Sequence, residues 1–147
     1  MPLKVSNFMT AKVLTAQPDD GIRQTFFRMR ESEVRHMPVV DEDRKLLGII
    51  SDRDLRRPEW VDEAPDLAHI YHLDDNLSVS DLMTRNVMVA HTYDTIAKAT
   101  RILLEHRFGA LPVLNKEQEL VGMLSSHDLL KALDLLLSEQ KAERKGH

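Results

Sequence analysis

The feature that most constrains the fold of this chain is an internal repeat. Residues 5–55 align with residues 79–129 at a constant offset of 74 and without a gap. About 16 of the roughly 51 aligned pairs are identical, several times the number expected for unrelated sequences. The stretches VSNFMTAKVLTA and VSDLMTRNVMVA correspond, as do HMPVVDEDRKLLGIISDRDL and ALPVLNKEQELVGMLSSHDL. The chain is therefore built from two copies of one structural unit.

Each copy predicts the same order of elements. A short turn or helix ends at Met-Thr, and an apolar strand follows near residues 13–16 or 87–90. A helix is opened by Asp20 or Asp94, which can cap or flank its N-terminus. Two apolar strands separated by a polar turn come next, and a second helix begins at the serine of SDRD or SSHD. The inward positions of the first helix, at helical spacing, are Ile22, Phe26 and Met29 in one copy and Ile96, Ala99 and Leu103 in the other.

The repeat defines a fold class and a division into domains. A β-α-β-β-α unit of this size is too small to bury its own core well. We therefore expect the two copies to pack through their sheets as one α/β (α+β) module with pseudo-two-fold symmetry. The predicted division is residues 1–57 for the first repeat, 58–78 for a connector and 79–147 for the second repeat. The second repeat ends in a long amphipathic helix, which is a candidate contact for a dimer or a partner.

The composition argues against several classes of protein. There is no cysteine, which excludes disulfides and thiolate metal sites. Charged residues of both signs make up 30% of the chain and the formal net charge is −4, which argues against broad nucleic-acid binding. No apolar run approaches the length of a membrane span, so we expect a cytoplasmic protein that does not contact a membrane. His69 and His72 lie three residues apart, but two ligands without a third do not make a zinc site.

No motif in the chain predicts catalysis. The sequence contains neither GxGxxG nor the P-loop pattern GxxxxGK[ST]. The letters SSHD include Ser, His and Asp, but adjacent residues at a helix start point in different directions, whereas a catalytic triad is a spatial arrangement. We therefore expect no enzyme activity, no metal and no required cofactor.

The spacing Ser-x-x-Asp occurs at the same place in both copies, as Ser51 with Asp54 and as Ser125 with Asp128. It is the spacing of a helix capping box, with Asp in place of Glu or Gln. The same arrangement also suits a ligand, because a helix N-terminus attracts an anion and a carboxylate can accept hydrogen bonds from the vicinal hydroxyls of a ribose. A glycine three residues before each serine leaves room for a flat ring or a close backbone. The sequence leaves both interpretations open.

Over nearly its full length the chain resembles a tandem pair of cystathionine-β-synthase-type (CBS) domains, which together form a Bateman module. The residues that carry the resemblance are VSNFMT…V…PDDGI…VRHMPVVD…LLGIISDRDL and VSDLMTRNV…YDTI…RFGALPVL…LVGMLSSHDL. They cover nearly the whole chain apart from the connector and the C-terminal tail. The stretch SDRDLRRP at the start of the connector is also similar to the CBS pair of acetoin-utilisation-type proteins.

The resemblance implies two clefts that can each take an adenosine-containing ligand. It implies that Asp54 and Asp128 bind the ribose and that Ser51 and Ser125 contact a phosphate or a ribose hydroxyl. The adenine would lie against Val13, Leu14, Met37, Pro38 and Val39 in the first copy and Val87, Met88, Leu111, Pro112 and Val113 in the second. Basic residues near the two motifs are either phosphate ligands or solvated surface residues: Arg35, His36, Arg53, Arg56, His106, Arg107 and His127.

These observations predict a stand-alone regulatory module whose effectors are the adenine nucleotides AMP, ADP or ATP. A nucleotide would shift the relative pose of the two repeats according to its differential affinity for the two states, and an unidentified partner protein would receive the signal. As Bateman modules commonly pair, a homodimer is expected. The alternatives are an interaction module with empty clefts, or another adenosine ligand such as S-adenosylmethionine, NAD or a cyclic dinucleotide.

Overall fold

The fold consists of short helices and small sheets. The computed structural model describes residues 3–56 and 77–145, so most of the predicted connector, including His69 and His72, lies outside the described residues. The helices are α1 (Val5–Phe8), α2 (Ile22–Glu31), α3 (Val79–Leu82), α4 (Ile96–His106) and α5 (Ser126–Lys145), with a 3₁₀ helix at Asp54–Arg56. The strands are β1 (His36–Val40), β2 (Leu46–Ser51), β3 (Ala90–His91), β4 (Ala110–Leu114) and β5 (Leu120–Ser125).

The chain divides into two compact units, and each contains one of the two sheets. The first-sheet unit is Leu14–Val87, and the second-sheet unit combines Met1–Val13 with Met88–His147. The opening segment of each repeat therefore belongs to the unit that contains the sheet of the other repeat. This spatial division differs from the division of the sequence into repeats.

Both sheets are built around the predicted antiparallel hairpin. β1 pairs with β2 and β4 with β5, and each pair has a register irregularity at its equivalent position. The predicted opening strands are shorter than the sequence suggested: one is a single parallel bridge from Ala16 to Val39, and the other is the two-residue β3, parallel to β4. The first sheet is therefore two-stranded and the second three-stranded.

The two hairpin turns are closed by an equivalent polar side chain in each copy. Asp41 Oδ1 accepts the N–H groups of Asp43 and Lys45 at 2.8 and 2.9 Å. In the second copy Asn115 Oδ1 accepts two equivalent N–H groups at 3.0 and 2.9 Å. Arg44 and Gln118 adopt φ values of 61° and 65°. The same turn geometry, with a left-handed residue at the same position, recurs 74 residues later.

The predicted inward faces of the two long repeat helices are buried, as expected. Ile22, Phe26 and Met29 of α2 belong to the core of the first-sheet unit, and the equivalent residues of α4 belong to the core of the other unit. Asp20 and Asp94 flank these helices rather than cap them. The N-caps are Gly21 and Thr95, and the Thr95 side chain accepts the N–H of Lys98.

Each opening segment is held on its unit by backbone bonds and by one buried valine. Val5 in α1 and Val79 in α3 are both fully buried. Thr10 exchanges two backbone hydrogen bonds with Met123 of β5, at 2.8 and 2.9 Å. Thr84 makes the equivalent pair of bonds with Ile49 of β2, at 2.8 and 3.0 Å. The opening segments of the two repeats are therefore held in the same way, each on the sheet of the other repeat.

Candidate nucleotide-binding site

The first Ser-x-x-Asp motif forms a capping box where β2 ends. Asp54 Oδ2 accepts the N–H of Ser51 at 2.9 Å, and the N–H of Asp54 donates to Ser51 Oγ at 3.1 Å. These reciprocal bonds satisfy two backbone donors at the start of the 3₁₀ helix. The side chain of Asp54 is half-buried, while the adjacent Leu55 is in the core. The capping interpretation of the spacing is thus correct as geometry, and the ribose-binding interpretation stays a prediction.

The second motif forms the same box at the start of α5, with more contacts to the carboxylate. Asp128 Oδ2 accepts both the N–H of Ser125 at 2.9 Å and its hydroxyl at 3.0 Å. The N–H of Asp128 donates to Ser125 Oγ at 3.2 Å. Asp128 Oδ1 accepts the hydroxyl of Thr10 at 3.4 Å. Only 4% of Asp128 is exposed, so the two predicted ribose ligands differ in burial.

The glycine before each motif is required by a close backbone. A Cβ at Gly48 would lie 2.6 Å from the carbonyl oxygen of Thr84 and 2.8 Å from Met83 Sδ. A Cβ at Gly122 would lie 2.8 Å from the carbonyl oxygen of Thr10 and 2.8 Å from Met9 Sδ. The Met-Thr that ends each opening segment therefore crosses directly over the glycine. Of the two reasons considered for these glycines, the close backbone applies.

In the first repeat, two basic candidates lie beside the serine of the motif. His36 is the register partner of Ser51 in the β1–β2 pair, and the carbonyl of Arg35 accepts the N–H of Asp52 at 3.0 Å. Arg35, His36 and Arg53 are all exposed. The hairpin thus brings a guanidinium-bearing and an imidazole-bearing residue to the strand end where Ser51 lies. The side chain of Arg56 lies outside the described part of the chain.

In the second repeat, the basic candidates are arranged differently. The positions next to Ser125 and Ser126 are Ala110 and Gly109, which carry no charge. His106 and Arg107 instead end α4, where Arg107 is the left-handed C-cap with φ 56°. The ring of His106 stacks on Phe108 with centroids 5.3 Å apart. His127 is exposed in the first turn of α5. The second repeat therefore has no basic side chain at the two strand-end positions that Arg35 and His36 occupy in the first repeat.

The predicted adenine-contacting residues fall into two groups. The strand residues Met37, Val39, Leu111 and Val113 are fully buried in the cores, and Pro38 and Pro112 are buried beside them. Their side chains are occupied by packing, so they can offer a base mainly their backbone. Val13, Leu14 and Val87 are half-buried and Met88 is 37% exposed. These four stand where the chain passes from one unit to the other.

A pocket near the first motif is lined partly by residues that the sequence did not single out. Its volume is about 260 Å³, and Arg35 is one of its walls together with Asp52 of the strand end. The remaining walls are Phe26, Met29, Arg30, Glu33 and Val34. Ser51 and Asp54 are not among them. Sequence periodicity does not predict such a pocket, because its walls come from α2, from the segment before β1 and from the residue after β2, which meet only in the folded unit.

Two further properties concern the described residues alone. Within residues 3–56 and 77–145, no three His, Asp or Glu side chains converge as metal ligands would. Across the same part of the chain, no helix combines the length and the apolar character that a bilayer crossing requires.

Comparison with known proteins identifies the family. The sequence matches the CBS domain at residues 5–58 and 79–135. An uncharacterized protein of Methanocaldococcus jannaschii is 34% identical over 134 residues, which is 90% of this chain and 44% of that protein. The chain thus spans less than half the length of that relative. It belongs to the CBS domain family, as the resemblance of its sequence predicted.

Solved structures confirm the fold. The CBS-pair protein CBSX2 from Arabidopsis thaliana superposes with a TM-score of 0.82 at 26% identity, covering 94% of this chain and 99% of that chain. CBSX2 in complex with AMP superposes with a TM-score of 0.77 at 26% identity, covering 91% and 98%. A Vibrio cholerae protein assigned to acetoin utilization gives a TM-score of 0.77 at 27% identity, covering 97% and 98%. The fold is that of a CBS pair, a Bateman module.

Proposed function

We propose that this protein is a regulatory module that binds an adenine nucleotide through its two Ser-x-x-Asp motifs. The observation that carries the proposal is the position of Asp54 and Asp128, each fixed at a strand end by its own capping box. A carboxylate has about four lone-pair directions, so it can cap the backbone and also accept from ribose hydroxyls. The similar CBSX2 has a structure in complex with AMP, which supports AMP as the first ligand to examine.

The two motifs are unequal as phosphate sites. Arg35 and His36 adjoin the first motif, whereas Gly109 and Ala110 take the equivalent places in the second. Arginine binds phosphate by paired, charge-assisted hydrogen bonds, and histidine adds charge when it is protonated. We therefore expect a phosphate-bearing nucleotide to prefer the motif of the first repeat. A neutral adenosine ligand would lack this preference.

The function is tested by thermal unfolding with AMP, ADP, ATP, S-adenosylmethionine and NAD. A ligand at about 100 times its dissociation constant stabilises the folded state by roughly 2.7 kcal/mol. For a chain of this size that raises Tm by several degrees. Asp54→Asn keeps an oxygen that can accept the Ser51 N–H but removes the charge, so it should lose the shift of the preferred nucleotide.

The control for this experiment is Asp43→Asn, which removes one exposed carboxylate of the β1–β2 turn. It should keep the full nucleotide shift, because this residue is far along the hairpin from the strand end. A nucleotide shift that survives both Asp54→Asn and Asp128→Asn would contradict binding through the motifs. No shift with any ligand would leave the second candidate, a protein-interaction module in which the motifs serve as helix caps.

That second candidate is favoured by one observation: in both motifs the N–H of the aspartate donates to the Oγ of the serine, as in a helix cap. In either case we propose that the regulated partner is a protein, and that the module pairs with a second copy of itself. Exposed leucines on α5, at positions 130, 133 and 137, support the pairing. Their spacing of three and four residues is that of a helix–helix seam.

A further inference from the structure

The second motif has a contact that crosses almost the whole sequence. The hydroxyl of Thr10 donates to Asp128 Oδ1 at 3.4 Å, although the residues are 118 positions apart. Thr10 is fixed there by its two backbone bonds to Met123. The seating of the opening segment therefore places the Thr10 backbone where its hydroxyl can reach the Asp128 carboxylate.

This contact uses the acceptor capacity that a ribose would need. Asp128 Oδ2 already accepts the N–H and the hydroxyl of Ser125. A carboxylate offers about four lone-pair directions, and Thr10 takes one of those on Oδ1. With the Thr10 hydroxyl in place, one lone-pair direction on Oδ1 remains for a ribose, and Asp128 is only 4% exposed. Two ribose hydroxyls can both bind Oδ1 only when the Thr10 hydroxyl turns away.

We propose that Thr10 closes the second nucleotide site by occupying Asp128 Oδ1, so that nucleotide affinity at this site is set by the opening segment of the chain. The inference rests on the proposed function. It makes Thr10 a positioning residue that acts through the Asp128 carboxylate. Removing its hydroxyl lowers the cost of ribose binding, while the exposed side-chain position tolerates the isosteric valine.

The test is a calorimetric titration of AMP into the full chain carrying Asp54→Ala, which isolates the second site. Adding Thr10→Val should tighten AMP binding about tenfold, the factor that corresponds to one hydrogen bond to a charged group. Thr10→Ser, which keeps the hydroxyl, should restore the weaker binding. Thr84→Val, the equivalent substitution in the other repeat, should leave the second site unchanged. Unchanged or weaker binding with Thr10→Val would overturn the proposal.

A ligand-free measurement separates this inference from the proposed function. The variants Thr10→Val, Asp128→Asn and their combination are compared by thermal unfolding without nucleotide. If the hydroxyl and the carboxylate interact, the double variant should lose less Tm than the two single losses together. Additive losses would overturn the closing contact even if AMP binds. Non-additive losses in a chain that binds no AMP would uphold the contact and reject the proposed nucleotide instead.

Discussion

At the scale of single residues, the two glycines before the motifs are fixed by the backbone that crosses them. The atoms that a Cβ would meet include the carbonyl oxygens of Thr84 and Thr10, at 2.6 and 2.8 Å. A carbonyl held in paired backbone bonds cannot move aside cheaply, unlike the end of a flexible side chain. The Met-Thr that recurs in both repeats and the glycine that recurs in both repeats are therefore one packing arrangement.

We predict that Gly48→Ala and Gly122→Ala each destabilise the protein by about 1–3 kcal/mol, the usual cost of overpacking a tight contact. Gly109→Ala is the matched control, because a Cβ at this position meets nothing within 4 Å. The control should stay within about 0.5 kcal/mol of wild type. Urea unfolding measures the difference, and equal effects of all three substitutions would contradict the crossing geometry.

At the scale of elements, α5 is longer than the surface that supports it. From Leu133 to Arg144 every residue except Leu135 is exposed. A helix segment of this length is marginal in water on its own. Leu130, Leu133 and Leu137 are 62%, 49% and 56% exposed, on the side opposite to the buried Ala132. The element thus presents a seam that a second helix would cover.

We predict that Leu133→Glu combined with Leu137→Glu converts the proposed dimer to a monomer in sedimentation velocity, because charges are then buried in the seam. Ala142→Glu introduces the same charge on another side of the same helix and should leave the dimer intact. Monomeric wild-type protein, or an equal effect of the control, would remove α5 as the dimer contact.

At the scale of the whole molecule, the two compact units do not coincide with the two repeats of the sequence. Val5 is buried with the second sheet and Val79 with the first. Replacing a fully buried valine by alanine lowers the free energy of unfolding by about 2 kcal/mol. The loss should destabilise the unit in which the valine packs.

We predict that Val5→Ala speeds amide hydrogen exchange in β4 and β5, while Val79→Ala speeds it in β1 and β2. Each variant is the control for the other, since the substitution is the same and its position in the repeat is the same. Faster hydrogen exchange in the strands of the valine's own repeat, instead of the other repeat, would contradict the placement of each opening segment on the sheet of the other repeat. The measurement is native-state hydrogen exchange resolved for each strand, because it reports the local opening of that part of the structure.

Much of this architecture could be predicted from the sequence, because periodicity and turn chemistry are local. The helix faces and hairpins follow from such patterns, and the Ser-x-x-Asp spacing gave the capping boxes. The exchange of opening segments could not be predicted, because Val5 and Val79 are equivalent and either assignment satisfies the same pattern. The Thr10–Asp128 contact escaped prediction for the same reason, since it follows from that exchange.

The seating of the opening segment also sets an order of events during synthesis. Residues 3–13 are synthesised before the strand and the carboxylate that hold Thr10, which lie up to 118 residues later. At about 5–20 residues per second, this segment waits roughly 6–24 seconds for its place in the fold. Closing so long a loop is entropically costly and comes late. The opening segment is thus made well before the residues that seat it, and until it docks, the glycine face of β5 is uncovered.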